Sequence, residues 1–130
     1  MIGCVSSGVG ILYLLLAVNP LTAFLAGTTV FGYLFEQEGI LKLAYLNDCK
    51  EIPALVLERV ADAQVLVLDA LRRREHPTHM CVDEALAAVR RVKPRRALFT
   101  HMTHDMDHAT VSAELPDSVA LAHDGLSVEI

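Results

Sequence analysis

From Val30 onward, apolar and polar residues fall into short blocks separated by turn residues. Val30-Phe-Gly-Tyr-Leu-Phe35 is β-rich and predicts a strand, followed by a polar Glu36-Gln-Glu-Gly39 turn. Leu41-Lys-Leu-Ala-Tyr-Leu46 returns as its hairpin partner and runs into Asn47-Asp48. Glu51-Ile-Pro53 opens a helix, with Pro in the first turn and Leu55, Leu57 and Val60 as its apolar positions. Ala63 to Leu68 (AQVLVL) is a continuous apolar run, the pattern of a strand buried on both faces. A loop from Asp69 to Cys81 leads to Val82–Val92, where Val82, Leu86 and Val89 share one helical face and Arg90 and Arg91 lie near the negative end of the helix dipole. Pro94 stops that helix, and Ala97-Leu-Phe99 predicts a strand ending at Thr100-His101. Val119 to Ala122 and Leu126 to Ile130 flank the Asp124-Gly125 turn pair and predict a terminal hairpin.

This order, ββαβαβ with a short helix and a hairpin to follow, predicts an α/β layer architecture around a largely buried sheet. Ligands of such sheets gather at the carboxyl ends of the strands. Asp48, Asp69 and His101 each come directly after a predicted strand, and that coincidence is the main functional signal.

The segment ahead of these elements follows a different pattern. No Lys, Arg, Asp or Glu occurs before Glu36. Val9 to Val18 is one apolar run, Asn19-Pro20 interrupts it, and Leu21 to Gly27 resumes it. A spanning helix wants about 20 uninterrupted apolar residues, and no basic stretch precedes the run as in a signal peptide. Three readings stay open: a buried strand or helix, a membrane-seeking leader (with Leu12 to Phe24 as the anchor) or an exported one, or a piece of a truncated or altered reading frame.

Charge narrows the partners. The 130 residues carry a net charge of −5, which argues against a nucleic-acid backbone. Aromatics at 5% and no Trp also argue against a stacking platform for single strands. Cys4, Cys49 and Cys81 are odd in number and form no C-x-x-C pair, so buried free thiols in a reducing, cytoplasmic compartment are expected.

Several groups have two readings. Asp48 suits a carboxylate that bridges two cations, or one that caps the helix that follows. His101-Met-Thr-His104-Asp105-Met-Asp107-His108 offers imidazoles of the kind zinc, manganese and iron take, with carboxylates at hand to fix their tautomers, or else a solvated loop. His76-Pro-Thr-His79 offers a general acid or base beside Arg72, Arg73 and Arg74, which suit an anionic substrate or a plain surface loop. Asp69 reads as an orienting carboxylate or as a turn residue. Cys49 has no base near it in sequence, which makes it a poor nucleophile.

Taken together, LAYLNDCKEIP, VLVLDALRRREHPTHM, RALFTHMTHDMDH and the ending LAHDGLSVEI resemble the C-terminal half of the metallo-β-lactamase superfamily, closest to the branch of the phosphoribosyl cyclic-phosphate phosphodiesterases. The resemblance spans residues 27–130, leaving 1–26 as a separate apolar segment. It implies half of an αβ/βα sandwich, a mixed sheet with helices on one face. It also implies a zinc- or manganese-dependent hydrolase acting on a small phosphodiester. By resemblance, Asp48 is the metal-bridging aspartate and His101 the last metal-binding histidine. His79 is the loop histidine that helps protonate the leaving group, and His104 and Asp105 form the motif's recurring tail.

Two departures follow. The family's H-x-H-x-D-H string does not occur in this sequence, and Leu25 or Ala26 stands where a further histidine is usual. With only two ligand positions filled, the chain alone is expected to be a truncated, weakly active or inactive hydrolase. The alternative is a non-catalytic module, oligomerising through its apolar N-terminal half or tethered to a membrane.

Overall fold

A computed structural model describes residues 31–130. The expectations for residues 1–26, including the apolar anchor, lie outside them. The described chain opens with an antiparallel pair, β1 (Phe31–Gln37) and β2 (Ile40–Asn47). The loop between them is the two residues Glu38 and Gly39, both with positive φ (53° and 77°), the I′ arrangement that matches strand twist.

From β2 the chain repeats one step three times. It leaves the sheet, forms a helix, and returns as a parallel strand on the next position. The successive elements are α1 (Ala54–Val60), β3 (Val65–Asp69), α2 (Val82–Val92), β4 (Arg96–Thr100), α3 (His108–Glu114) and β5 (Val119–Leu121). Strand order is β1-β2-β3-β4-β5, with every pair after the first parallel. Because each crossover advances in the same direction and such connections are right-handed, all three helices fall on one face.

Packing agrees with this. Register aligns Ala44, Leu66, Ala97 and Val119 in one row, and Leu46, Leu68, Phe99 and Leu121 in the next. Both rows join one core with Val56 and Val60 of α1, Val82, Ala85, Ala88 and Val92 of α2, and Val111 of α3. Four of the five residues of β3 are buried, as its unbroken apolar run requires.

Two expectations shift. Pro53 is the residue before α1, not within its first turn. The terminal hairpin is absent among the described residues: β5 pairs parallel with β4, and Leu126–Ile130 forms no strand. With only three residues, β5 offers too short a template for a returning strand. The chain turns instead at Gly125 (φ 82°), where the Leu126 N–H reaches the His123 carbonyl at 3.1 Å. No helix among the described residues is long and apolar enough to cross a membrane.

The aligned rows carry the stability. Leu68→Ala, at a fully buried position, is expected to cost about 2–5 kcal/mol, whereas Leu55→Ala on the exposed side of α1 should stay within about 0.5 kcal/mol. Urea unfolding of both variants checks this, and equal losses would contradict the core assignment.

Candidate metal centre

Parallel strands in register end together, so β2, β3 and β4 deliver their last residues to one edge. Asp48 follows β2, Asp69 is the last residue of β3, and His101 follows β4. Asp48 and His101 both adopt left-handed backbone conformations (φ 58° and 61°), an uncommon state for residues other than Gly and one that gathers at functional sites.

His79 arrives from the loop after β3, which is pinned at several points. The Leu71 N–H donates to the Met80 carbonyl at 2.9 Å, the Met80 N–H to the Cys49 carbonyl at 3.0 Å, and the Val82 N–H to the Arg72 carbonyl at 3.0 Å. Glu84 in the first turn of α2 accepts from the Cys81 N–H at 2.9 Å, and it also holds Lys50 at 2.5 Å. Thr103 ties the segment after β4 to the same loop through the Leu71 carbonyl. These bonds leave the imidazole of His79 over the end of β3.

The result is a tight group. Ligand atoms of Asp48, Asp69, His79 and His101 all lie within 4.8 Å of one another. His79 Nδ1 is 2.9 Å from Asp69 Oδ2 and 3.2 Å from Asp48 Oδ1, and His101 Nδ1 is 3.6 Å from Asp69 Oδ1. The His79 and His101 rings meet edge to face with centroids 4.8 Å apart. Asp69 is fully buried, and its Oδ2 also accepts from the Cys49 N–H at 3.0 Å. Its Oδ1 accepts no hydrogen bond among the described residues. A buried carboxylate oxygen without a donor, amid mixed nitrogen and oxygen ligands, fits a divalent cation.

The remaining candidates separate. The His76 ring lies tilted against that of His79, with centroids 4.9 Å apart, and its imidazole is held below its ordinary value by desolvation and by the nearby Arg72, His79 and Lys50. His104 and Asp105 are exposed and outside the group of four; Asp105 accepts from the Thr103 hydroxyl, which holds its carboxyl below the usual range. Asp48 caps no helix, since α1 begins after Pro53 without a side-chain cap. Arg72 is engaged with the carbonyls of Arg74 and Glu75, and Arg73 pairs with Glu114 at 2.7 Å. Spacing alone did not reveal the tie made by Thr103 or the pairing of Lys50 with Glu84, which join residues more than thirty positions apart.

Half of a metallo-β-lactamase-type sandwich, with His and Asp gathered at the strand ends, is the class this geometry defines. The family described as the beta-lactamase superfamily domain matches residues 18–102, and the chain belongs to it. It is similar to a new diphosphatase from the PhnP family, 32% identical, over 80% of this chain and 44% of that one, with a TM-score of 0.67. It is also similar to Zn(2+)-bound PqqB from Methylobacterium extorquens, 22% identical, over 78% of this chain and 46% of that one, with a TM-score of 0.58. A curated octanoyltransferase of Porphyromonas gingivalis (strain ATCC BAA-308 / W83) is 28% identical over 120 residues, 88% of this chain. The chain spans 23% of that curated relative and less than half of either structure.

Cys49, beside this centre, is no nucleophile. Burial, then the negative charges of Asp69 and Asp48, push its thiol from 9.0 to about 12. An unfolded thiol loses its proton near 9.0 while the folded one keeps it, so this contribution is complete below that pH and is lost as pH rises toward about 12. Urea midpoints compared at about pH 8 and about pH 10.5 should fall less in Cys49→Ala than in the unaltered chain. Equal falls would refute the assignment.

Proposed function

We propose that this chain forms the C-terminal half of a metal-dependent hydrolase site acting on a small phosphate ester or anhydride. The observation that carries the reading is the convergence of Asp48, Asp69, His79 and His101 around a buried carboxylate at the strand ends. Support for the substrate class comes from the similarity to the diphosphatase from the PhnP family.

In this reading Asp48 and His101 hold the metal, zinc or manganese. Held there, such a metal would supply positive charge for the phosphate and lower the pKa of a coordinated water. His79 faces the same space and carries its proton toward the leaving oxygen. Asp69 Oδ2 at 2.9 Å and Asp48 Oδ1 at 3.2 Å from its Nδ1 hold the ring in place. Free, buried Cys49 and Cys81 suit a reducing, cytoplasmic setting. The rate expected of this chain alone is low, because a catalytic zinc normally keeps three protein ligands and water.

Titration of the purified chain with Zn2+ and Mn2+ by calorimetry, alongside hydrolysis of bis-p-nitrophenyl phosphate, tests the reading. Binding and any metal-stimulated hydrolysis should be lost in Asp48→Ala and in His101→Ala, while His79→Ala should bind metal and lose hydrolysis. Metal binding indifferent to both Asp48→Ala and His101→Ala would overturn it.

A further inference from the structure

We infer that Arg72 and His76 form an anion subsite beside the metal centre, one that holds a phosphate as the leaving group and so fits the chain to a phosphate anhydride. The place of this subsite in a reaction rests on the metal-hydrolase reading; its affinity for phosphate does not.

The rings of His101, His79 and His76 follow one another, with centroids 4.8 and 4.9 Å apart. A group attached beyond the oxygen that His79 serves therefore comes next to His76. The Thr78 N–H donates to His76 Nδ1 at 3.3 Å, and a backbone N–H can only donate. Nδ1 is thus the acceptor, the ring proton sits on Nε2, and His76 offers a neutral N–H. Desolvation, then Arg72, His79 and Lys50, act against a charge on this ring, and Asp69 is the one group that favours it. The potential around His76 is therefore positive, the opposite of that around Cys49.

Arg72 supplies the charge. Its Nε donates to the Arg74 carbonyl at 3.2 Å and its Nη2 to the Glu75 carbonyl at 2.7 Å. Both partners are neutral, so the guanidinium is fixed in place while its charge stays uncancelled. Nη1 makes no bond among the described residues. The other cations nearby differ, since Arg73 is paired with Glu114 at 2.7 Å and Lys50 with Glu84 at 2.5 Å. The backbone of Arg72 is also held, its carbonyl accepting from the Val82 N–H at 3.0 Å. A fixed guanidinium beside a neutral N–H suits the several oxygens of a phosphate. An uncharged alcohol as leaving group would gain nothing from it, which is why an anhydride fits better than a simple ester.

Titration of the full chain with inorganic phosphate, without added metal and at constant ionic strength, tests the subsite by 31P line broadening. Binding should saturate and shift the His76 ring signals, and phenol, a leaving group without charge, should not compete. Affinity should fall about tenfold in Arg72→Met. It should fall about 3–10-fold in His76→Asn, which keeps an acceptor for the Thr78 N–H and loses the Nε2 donor. His76→Gln, which returns an N–H near that place, should recover part of the loss. Arg91→Met, on the exposed end of α2, should bind as the unaltered chain does. Absence of saturable binding, competition by phenol, an equal loss in Arg91→Met, or unchanged affinity in Arg72→Met or His76→Asn overturns the inference. If Arg72→Met does not fold without its two carbonyl ties, the His76 variants decide. Phosphate binding that depends on Arg72 and His76 in a chain that takes up no Zn2+ would sink the metal reading and leave the subsite standing. Zn2+ binding that depends on Asp48 and His101, without phosphate binding, would sink the subsite alone.

Discussion

A single buried carboxylate at the end of the central strand constrains the rest of the centre. A charge removed from water must be met by donors or it destabilises the fold, and Asp69 has no exposure at all. It therefore draws on three separate parts of the chain: the backbone just past β2 through Cys49, the loop after β3 through His79, and the turn after β4 through His101. Each of those parts carries a side chain with metal-binding chemistry. The requirement to satisfy one buried group and the assembly of the centre are the same constraint.

The sheet makes that meeting feasible. Three parallel strands in register end at one edge, with Leu46, Leu68 and Phe99 in a common row just inside it. The apolar row below the edge holds the strand ends still, and the left-handed conformations of Asp48 and His101 turn the chain immediately beyond it. Backbone strain of this kind persists only where surrounding structure enforces it. Here the enforcing structure is the packed core together with the pinned loop 71–81.

Much of this was legible from residue order, and the rest fails for identifiable reasons. The β1–β2 hairpin, the buried run of β3 and the helix Val82–Val92 follow from turn chemistry and periodicity, which are local, although Glu36 and Gln37 extend β1 into the expected turn. The positions of Asp48 and His101 followed from where strands stop. Asp69 was ambiguous because an aspartate after an apolar run ends a strand or serves a site with the same local pattern. Only contacts across ten residues to His79 and twenty to Cys49 distinguish the two. The proposed strand at Leu126–Ile130 had the right alternation, but alternation does not supply a partner, and β5 is too short to be one. Spacing does not show that nearby carbonyls hold Arg72 in place or that Glu114 pairs with Arg73.

Charge gives an independent argument for a cation at this centre. Two carboxylates, Asp48 and Asp69, approach one nitrogen of His79, so a single ring proton is shared between two negative groups. The second ring lies on the free oxygen of Asp69 at a distance too long for a hydrogen bond. Negative charge is therefore in excess in a place that is partly closed to water. Cys49 registers the same field: after burial, the two carboxylates are what keep its thiol protonated. A group that discourages one more anion at Cys49 favours a cation beside it for the same electrostatic reason. Asp48 and His101, whose ligand atoms lie within 4.8 Å of those of Asp69 and His79, stand where that cation would be held.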